Sequence, residues 1–177
     1  MTNYLLPPFG QINLASLNEE YNAVVELDGH SISLDINFEK TTIEENLINI
    51  IKQFIENIPK FDKQNIVSIL NEYNDENGET VKRYIDFHIE EYAQSELVKL
   101  IDYGNTAIAA EEQLLNKLKL ERVGFYPDGK YDAESFAIFD YTFEGNVYLD
   151  GVRTITDQII AVKTDSKGEL EYLAWES

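Results

Sequence analysis

The chain reads as an α+β protein on three observations. An Asp28-Gly29 dipeptide joins two alternating apolar segments, residues Thr41 to Leu118 are patterned at helical spacing, and β-branched and aromatic clusters follow Leu118. Strands first, helices next, then strands again, with tight turns and no βαβ alternation, predict an N-terminal β-hairpin, a central helical region and C-terminal antiparallel strands forming a sheet packed on the helices. The sequence shows no low-complexity linker and no internal repeat, so one domain spanning residues 1–177 is expected.

The hairpin rests on Asp28-Gly29, because a two-residue type I′ turn needs positive φ at both central positions. That turn pairs Leu27 with His30, Val25 with Ile32, Ala23 with Leu34 and Tyr21 with Ile36. All but His30 are apolar and share a face that Phe38 extends, while Glu26, Ser31, Ser33, Asp35 and Asn37 fall on the other.

Thr41 with Glu44, or Thr42 with Glu45, offers a capping box for the first helix. Ile43, Leu47, Ile50, Ile51, Phe54 and Ile58 then recur at helical spacing, and Pro59 is expected to end that helix. Asp62 is expected to cap a second helix, whose inward residues are Ile66, Ile69, Leu70 and Tyr73 and which Asn77-Gly78 breaks. A third carries Val81, Tyr84, Ile85, His88, Ile89 and Tyr92 on one stripe. Shorter helices are expected over Glu96 to Ile101 and Ala107 to Leu118, parted by Gly104. Beyond them, Leu120 to Tyr126, Ser135 to Phe143, Gln158 to Thr164 and Leu170 to Trp175 read as strands, the last entered through a turn at Asp165 to Gly168.

Composition limits the chemistry. With 14 basic and 33 acidic side chains the 177-residue chain carries a formal charge of −19, a field that repels phosphate. Nucleic acid and anionic membrane surfaces are therefore not expected partners, and a basic protein is. The absence of cysteine excludes disulfides, thiolate nucleophiles and cysteine-bound zinc. The opening residues lack a basic segment and contain Pro7-Pro8, and the longest apolar patch, Leu47 to Ile51, is too short to span a bilayer. A cytoplasmic protein without a membrane partner is the expectation.

The sequence carries no catalytic signature, and no cofactor or metal is expected. The segment from Gly124 to Lys130 has the glycine and lysine spacing of a phosphate-binding loop, but Tyr131 stands where Ser or Thr must bind magnesium. Pro127 removes a backbone donor there, and strand rather than helix follows. His88, on the apolar stripe of the third helix, reads as a core histidine, and His88-Ile89-Glu90-Glu91 lacks the second histidine of a zinc-protease helix. His30 flanks a turn. No Gly-x-Ser-x-Gly elbow is present.

Acidic residues cluster in two places. Glu72, Asp75, Glu76 and Glu79 surround Asn77-Gly78, but tyrosines occupy the first and twelfth positions of any calcium loop centred on Gly78. Asp128, Asp132 and Glu134 share a β-connection. Glu90, Glu91 and Glu96 add charge near the third helix and, with Glu72, Asp75, Glu76 and Glu79, make the candidate surface for a cationic partner.

Six strings occur in order: Leu6-Pro7-Pro8-Phe9-Gly10-Gln11-Ile12, Phe61-Asp62, Tyr84-Ile85-Asp86-Phe87-His88, Gly124-Phe125-Tyr126-Pro127, Phe139-Asp140-Tyr141 and Trp175-Glu176-Ser177. The set resembles a bacterial family known as domain of unknown function number two-thousand-four, from near Leu6 to the last residue. The resemblance implies a bacterial intracellular protein linked by genome neighbourhood to toxin–immunity systems. It supplies no catalytic or binding residues.

The expected function is a non-enzymatic acidic binding protein, in its most specific form an immunity protein that neutralises a basic toxin. The alternative is a small enzyme or ligand-binding protein using carboxylates and His88 in a pocket between sheet and helices.

Overall fold

The computed structural model describes residues 3–146 and 155–177, and the backbone of 148–149 and 152–153. Two short strands, β1 (Asn3–Leu6) and β2 (Gly10–Asn13), form a hairpin that the apolar pattern did not announce. Leu6 and Ile12 are its buried residues, and the Tyr4 hydroxyl donates to Asn49 Oδ1 at 2.6 Å, tying it to the first helix.

Strands β3 (Glu20–Leu27) and β4 (His30–Asn37) pair in the expected register, from Leu27 opposite His30 to Tyr21 opposite Ile36. Asp28 at φ 46° and Gly29 at φ 84° supply the two positive angles of the turn. Ile32, Leu34, Ile36 and Phe38 are buried as patterned, but so are Asp35 and Asn37 on the opposite face. An arginine from a distant strand is the reason, as described below.

Helix α1 (Glu45–Asn74) runs through both of the first two expected helices, with Pro59 inside it. Pro59 is exposed, whereas Ile51, Phe54, Ile58, Phe61 and Ile69 continue one buried stripe past it. Burial of that stripe outweighs the missing hydrogen bond, so Pro59 does not end the helix and Asp62 does not cap another. Neither expected capping box forms: Glu44 occupies the cap without a side-chain bond. Thr41 O accepts from Leu17 N and Ile43 N donates to Leu14 O, which holds residues 41–43 against the β2–β3 connection until the helix begins.

Helix α2 (Thr80–Glu91) buries Val81, Tyr84, Ile85 and His88, as its stripe predicts. The short helices α3 (Gln94–Leu97) and α4 (Ala110–Leu115) lead to β5 (Leu118–Phe125), β6 (Ala137–Phe143), β7 (Tyr148–Leu149), β8 (Val152–Arg153), β9 (Ile159–Thr164) and β10 (Leu170–Glu176). The main sheet has strand order β10-β9-β6-β5-β4-β3. Every junction in it is antiparallel except β4–β5, where Ser33 to Ile36 run parallel to Arg122 to Phe125. The hairpin therefore belongs to the same sheet as the C-terminal strands, and the helical region is the crossover between β4 and β5.

The helices cover one face of this sheet. Phe54 of α1 meets Phe125 edge-on at 5.3 Å, Tyr84 of α2 lies 5.5 Å from Phe143, and the Tyr141 hydroxyl donates to Asp62 at 2.8 Å. One apolar cluster joins both layers. Among the described residues no helix is long and apolar enough to cross a membrane.

Candidate functional site

The acidic residues singled out from the sequence have unequal freedom. Both oxygens of Glu72 accept backbone N–H groups at the start of α2, from Thr80 at 2.7 Å and Val81 at 2.8 Å. Asp75 Oδ1 accepts from Asn77 N within the turn, and Glu96 accepts from Ala93 N at the start of α3. Glu79 lies 3.6 Å from Arg83, with both side chains exposed. Glu76, Glu90 and Glu91 are exposed and make no ion pair among the described residues. Glu72, Asp75 and Glu96 are thus committed to chain folding, and the α2 region presents a thinner free acidic surface than the sequence alone suggests.

His88 has no exposed surface. Its Nδ1 lies 2.7 Å from the Tyr84 carbonyl and Nε2 2.9 Å from Thr156 Oγ1, an arrangement that fits a neutral ring donating from Nδ1 and accepting at Nε2. Burial holds its pKa below the ordinary histidine value, against the opposing pull of the Tyr84 carbonyl and Asp157. Tyr92 stacks on the ring at 5.1 Å and Phe143 meets it edge-on at 4.9 Å. A ring with both nitrogens occupied and no solvent access is built for packing. His30 Nε2 lies 3.0 Å from the Leu120 carbonyl, bracing the hairpin against β5.

The segment resembling a phosphate loop is tied down. Asp128 accepts from the backbone N–H groups of Glu39 and Lys40, and the buried Lys130 reaches Glu19 at 3.3 Å. Among the described residues no group of three or more His, Asp or Glu is placed to hold a metal ion.

Polar chemistry instead gathers on the sheet face turned away from the helices. One cross-strand row runs from Ser33 through Arg122, Asp140 and Ala161 to Ala174, and its neighbour runs from Asp35 through Gly124, Ile138 and Lys163 to Tyr172. The Arg122 side chain reaches from the first row to the second. Its guanidinium clasps Asp35 in a bidentate pair at 2.6 and 2.8 Å, donates to Asp140 at 2.8 Å and to the Tyr126 hydroxyl at 2.9 Å. Burial works against its charge, but the bond to Asp35 and the charge of Asp140 more than offset that and keep it protonated. This pairing lets two carboxylates, 8% and 7% exposed, remain on the sheet.

Beyond Tyr126 the second row ends in a cleft of about 320 Å³ walled by Tyr126, Tyr131 and Tyr172. Ile138 and Ser135 line it, and Asp132 and Glu134 stand at it with no ion pair among the described residues. The Tyr126 and Tyr131 rings lie 6.4 Å apart at 69°. Tyr131 adopts φ 62° and Asp132 φ 57°, left-handed angles that cost non-glycine residues about 1–3 kcal/mol each. Tyr131 is 70% exposed. The Ser135 hydroxyl is buried without a hydrogen-bond partner, one of two side-chain groups so placed among the described residues. Lys163 also lines the cleft, with its ammonium 2.6 Å from Glu176 and 5.2 Å from the Tyr172 ring centre.

Only the carboxylates of this cleft stand out in the sequence, as Asp132 and Glu134 of the acidic β-connection. Tyr126 and Tyr131 come from the β5–β6 connection and Tyr172 from β10, and together they carry no motif. Comparison with known proteins adds nothing here: no family model, no curated protein and no solved structure matches the chain.

Proposed function

We propose that this chain is a non-enzymatic acidic binding protein whose partner is a basic protein, with neutralisation of a basic toxin as its most specific form. The observation that carries the reading is the charge of −19 together with the fate of the cations. Seven of the 14 basic side chains, Lys82, Arg83, Lys117, Lys119, Arg122, Lys130 and Lys163, lie in ion pairs with carboxylates of the same chain. Glu144 holds two of these lysines and Arg122 holds two carboxylates, so internal pairing leaves the surplus of acid in place. Such a field steers a cationic partner inward, with association reaching about 10⁸–10⁹ M⁻¹s⁻¹ at low salt. The sealed environment of His88 favours binding over acid–base chemistry.

The test immobilises the full chain, retains proteins from lysate of its source at low salt, and measures each purified one separately. A basic protein whose association rate falls at least tenfold between 20 and 200 mM salt, on the order expected for steered encounter, supports the reading. Retention of neutral or acidic proteins only, or a salt-independent rate, overturns it.

A further inference from the structure

We propose that the tyrosine cleft at the edge of the open sheet face receives an arginine side chain of that basic partner. The inference rests on the acidic-binding reading and gives it a specific site. A guanidinium is planar, cationic and carries five N–H donors, so it needs aromatic faces, negative charge and several acceptors within one small space. The cleft brings these together. Tyr126, Tyr131 and Tyr172 supply the rings, and Asp132 and Glu134 supply charge that no partner in the described chain neutralises.

Ser135 is the second, independent observation. It is 3% exposed, it lines the cleft, and its hydroxyl has no partner, whereas buried hydroxyls in folded proteins nearly always have one. Tyr126 already takes one N–H from the guanidinium of Arg122, so a guanidinium is a group this part of the chain accommodates.

The local cations do not oppose the assignment. Lys163 is held by Glu176 and Lys130 by Glu19, and Arg122 is shared between Asp35 and Asp140. Each lysine lies over a tyrosine ring, Lys163 at 5.2 Å from the Tyr172 centre and Lys130 at 5.3 Å from the Tyr131 centre, so an entering guanidinium must use the remaining faces of those rings. Asp132 and Glu134 are the charges left over. Lysine from a partner satisfies the charge but offers neither the planar stacking surface nor enough donors, which is why arginine is the assigned side chain.

The experiment follows the ring signals of ¹³C-labelled tyrosine in the full chain during titration with acetyl-Gly-Arg-Gly-amide. The matching lysine and citrulline peptides serve as controls, citrulline keeping the shape without the charge. Saturable shifts at Tyr126, Tyr131 and Tyr172 with the arginine peptide, weaker with lysine and lost with citrulline, are expected. Tyr131→Ala, at an exposed ring, is expected to weaken the arginine peptide about fivefold or more, and Glu134→Gln to weaken it less. Equal binding of citrulline, unchanged binding by Tyr131→Ala, or shifts that miss these tyrosines overturns the proposal. If a basic protein is captured with a salt-dependent rate that Tyr131→Ala leaves unaltered, the cleft assignment fails while the acidic-binding reading stands. If no basic protein is captured but the peptide binds as described, the acidic-binding reading fails and the cleft keeps only its preference for arginine, without a basic protein partner to supply it.

Discussion

Glu72, in the last turn of α1, caps α2: its two carboxylate oxygens take the backbone N–H groups of Thr80 and Val81. A negative group at a helix N-terminus satisfies otherwise unpaired donors and complements the helix dipole. The linking turn is closed so tightly that a Cβ on Gly78 falls 1.9 Å from the Glu72 carbonyl oxygen. Glu72→Ala is expected to lower stability by about 1–2 kcal/mol, and Glu72→Gln by roughly half that, because the amide keeps one acceptor. Urea denaturation reads both. A Glu72→Ala midpoint equal to that of the parent chain would show that the cap contributes nothing.

Arg122 bridges β4, β5 and β6 through Asp35 and Asp140. Arg122→Ala strands two buried carboxylates, so a loss of about 3–5 kcal/mol is expected. Arg122→Lys recovers only part of it, since an ammonium cannot reproduce the bidentate clasp. The cost of Arg122→Ala combined with Asp140→Asn should fall well short of the sum of the single losses, because each removes part of the same network. Additive losses in equilibrium unfolding contradict this account.

His88 is expected to make stability pH-dependent. Its folded pKa lies below the ordinary 6.5 through burial, so the unfolded chain binds its proton more readily. The stabilisation is present above pH 6.5 and is lost as the pH falls through the folded pKa, with a slope of at most about 1.4 kcal/mol per pH unit. His88→Gln removes this component. The difference in unfolding free energy between parent and variant should therefore shrink from pH 7.5 to pH 5, while the relaxing charge repulsion common to both cancels. A difference that stays constant over that range assigns the ring no titration on unfolding.

How much of this was legible depends on how local the cause is. Asp28-Gly29 fixes a turn within two residues, and the pairing of Tyr21 with Ile36 follows from it. The stripe holding His88 is legible because helical spacing is a short-range pattern. The parallel junction of β4 and β5 is not, since it joins Asp35 to Gly124 across the whole helical region and only tertiary packing decides it. Burial of Asp35, which the pattern places on the polar face of the hairpin, depends on that junction, because Arg122 arrives with it. The cleft depends on it less than on the register of β6, β9 and β10, which brings Ile138, Lys163 and Tyr172 into one row. No spacing along the chain announces such a row.

Pro59 offers a direct measure of how far tertiary burial overrides local preference. A proline inside a helix removes one backbone hydrogen bond and crowds the preceding turn, at about 3 kcal/mol relative to alanine. In α1 it occupies an exposed position while its neighbours Ile58 and Phe61 lie in the buried stripe. Alanine there needs no new space and supplies the N–H that the Ile55 carbonyl, four residues earlier, lacks. Pro59→Ala is therefore expected to raise stability by about 1–3 kcal/mol and to increase the thermal midpoint. An unchanged or lower midpoint would mean that the proline limits the unfolded chain as much as it disfavours the helix, or that α1 bends at Pro59 to fit the sheet. Helical content by circular dichroism separates those two causes, since only a required bend makes the straightened helix pack less well without losing helix.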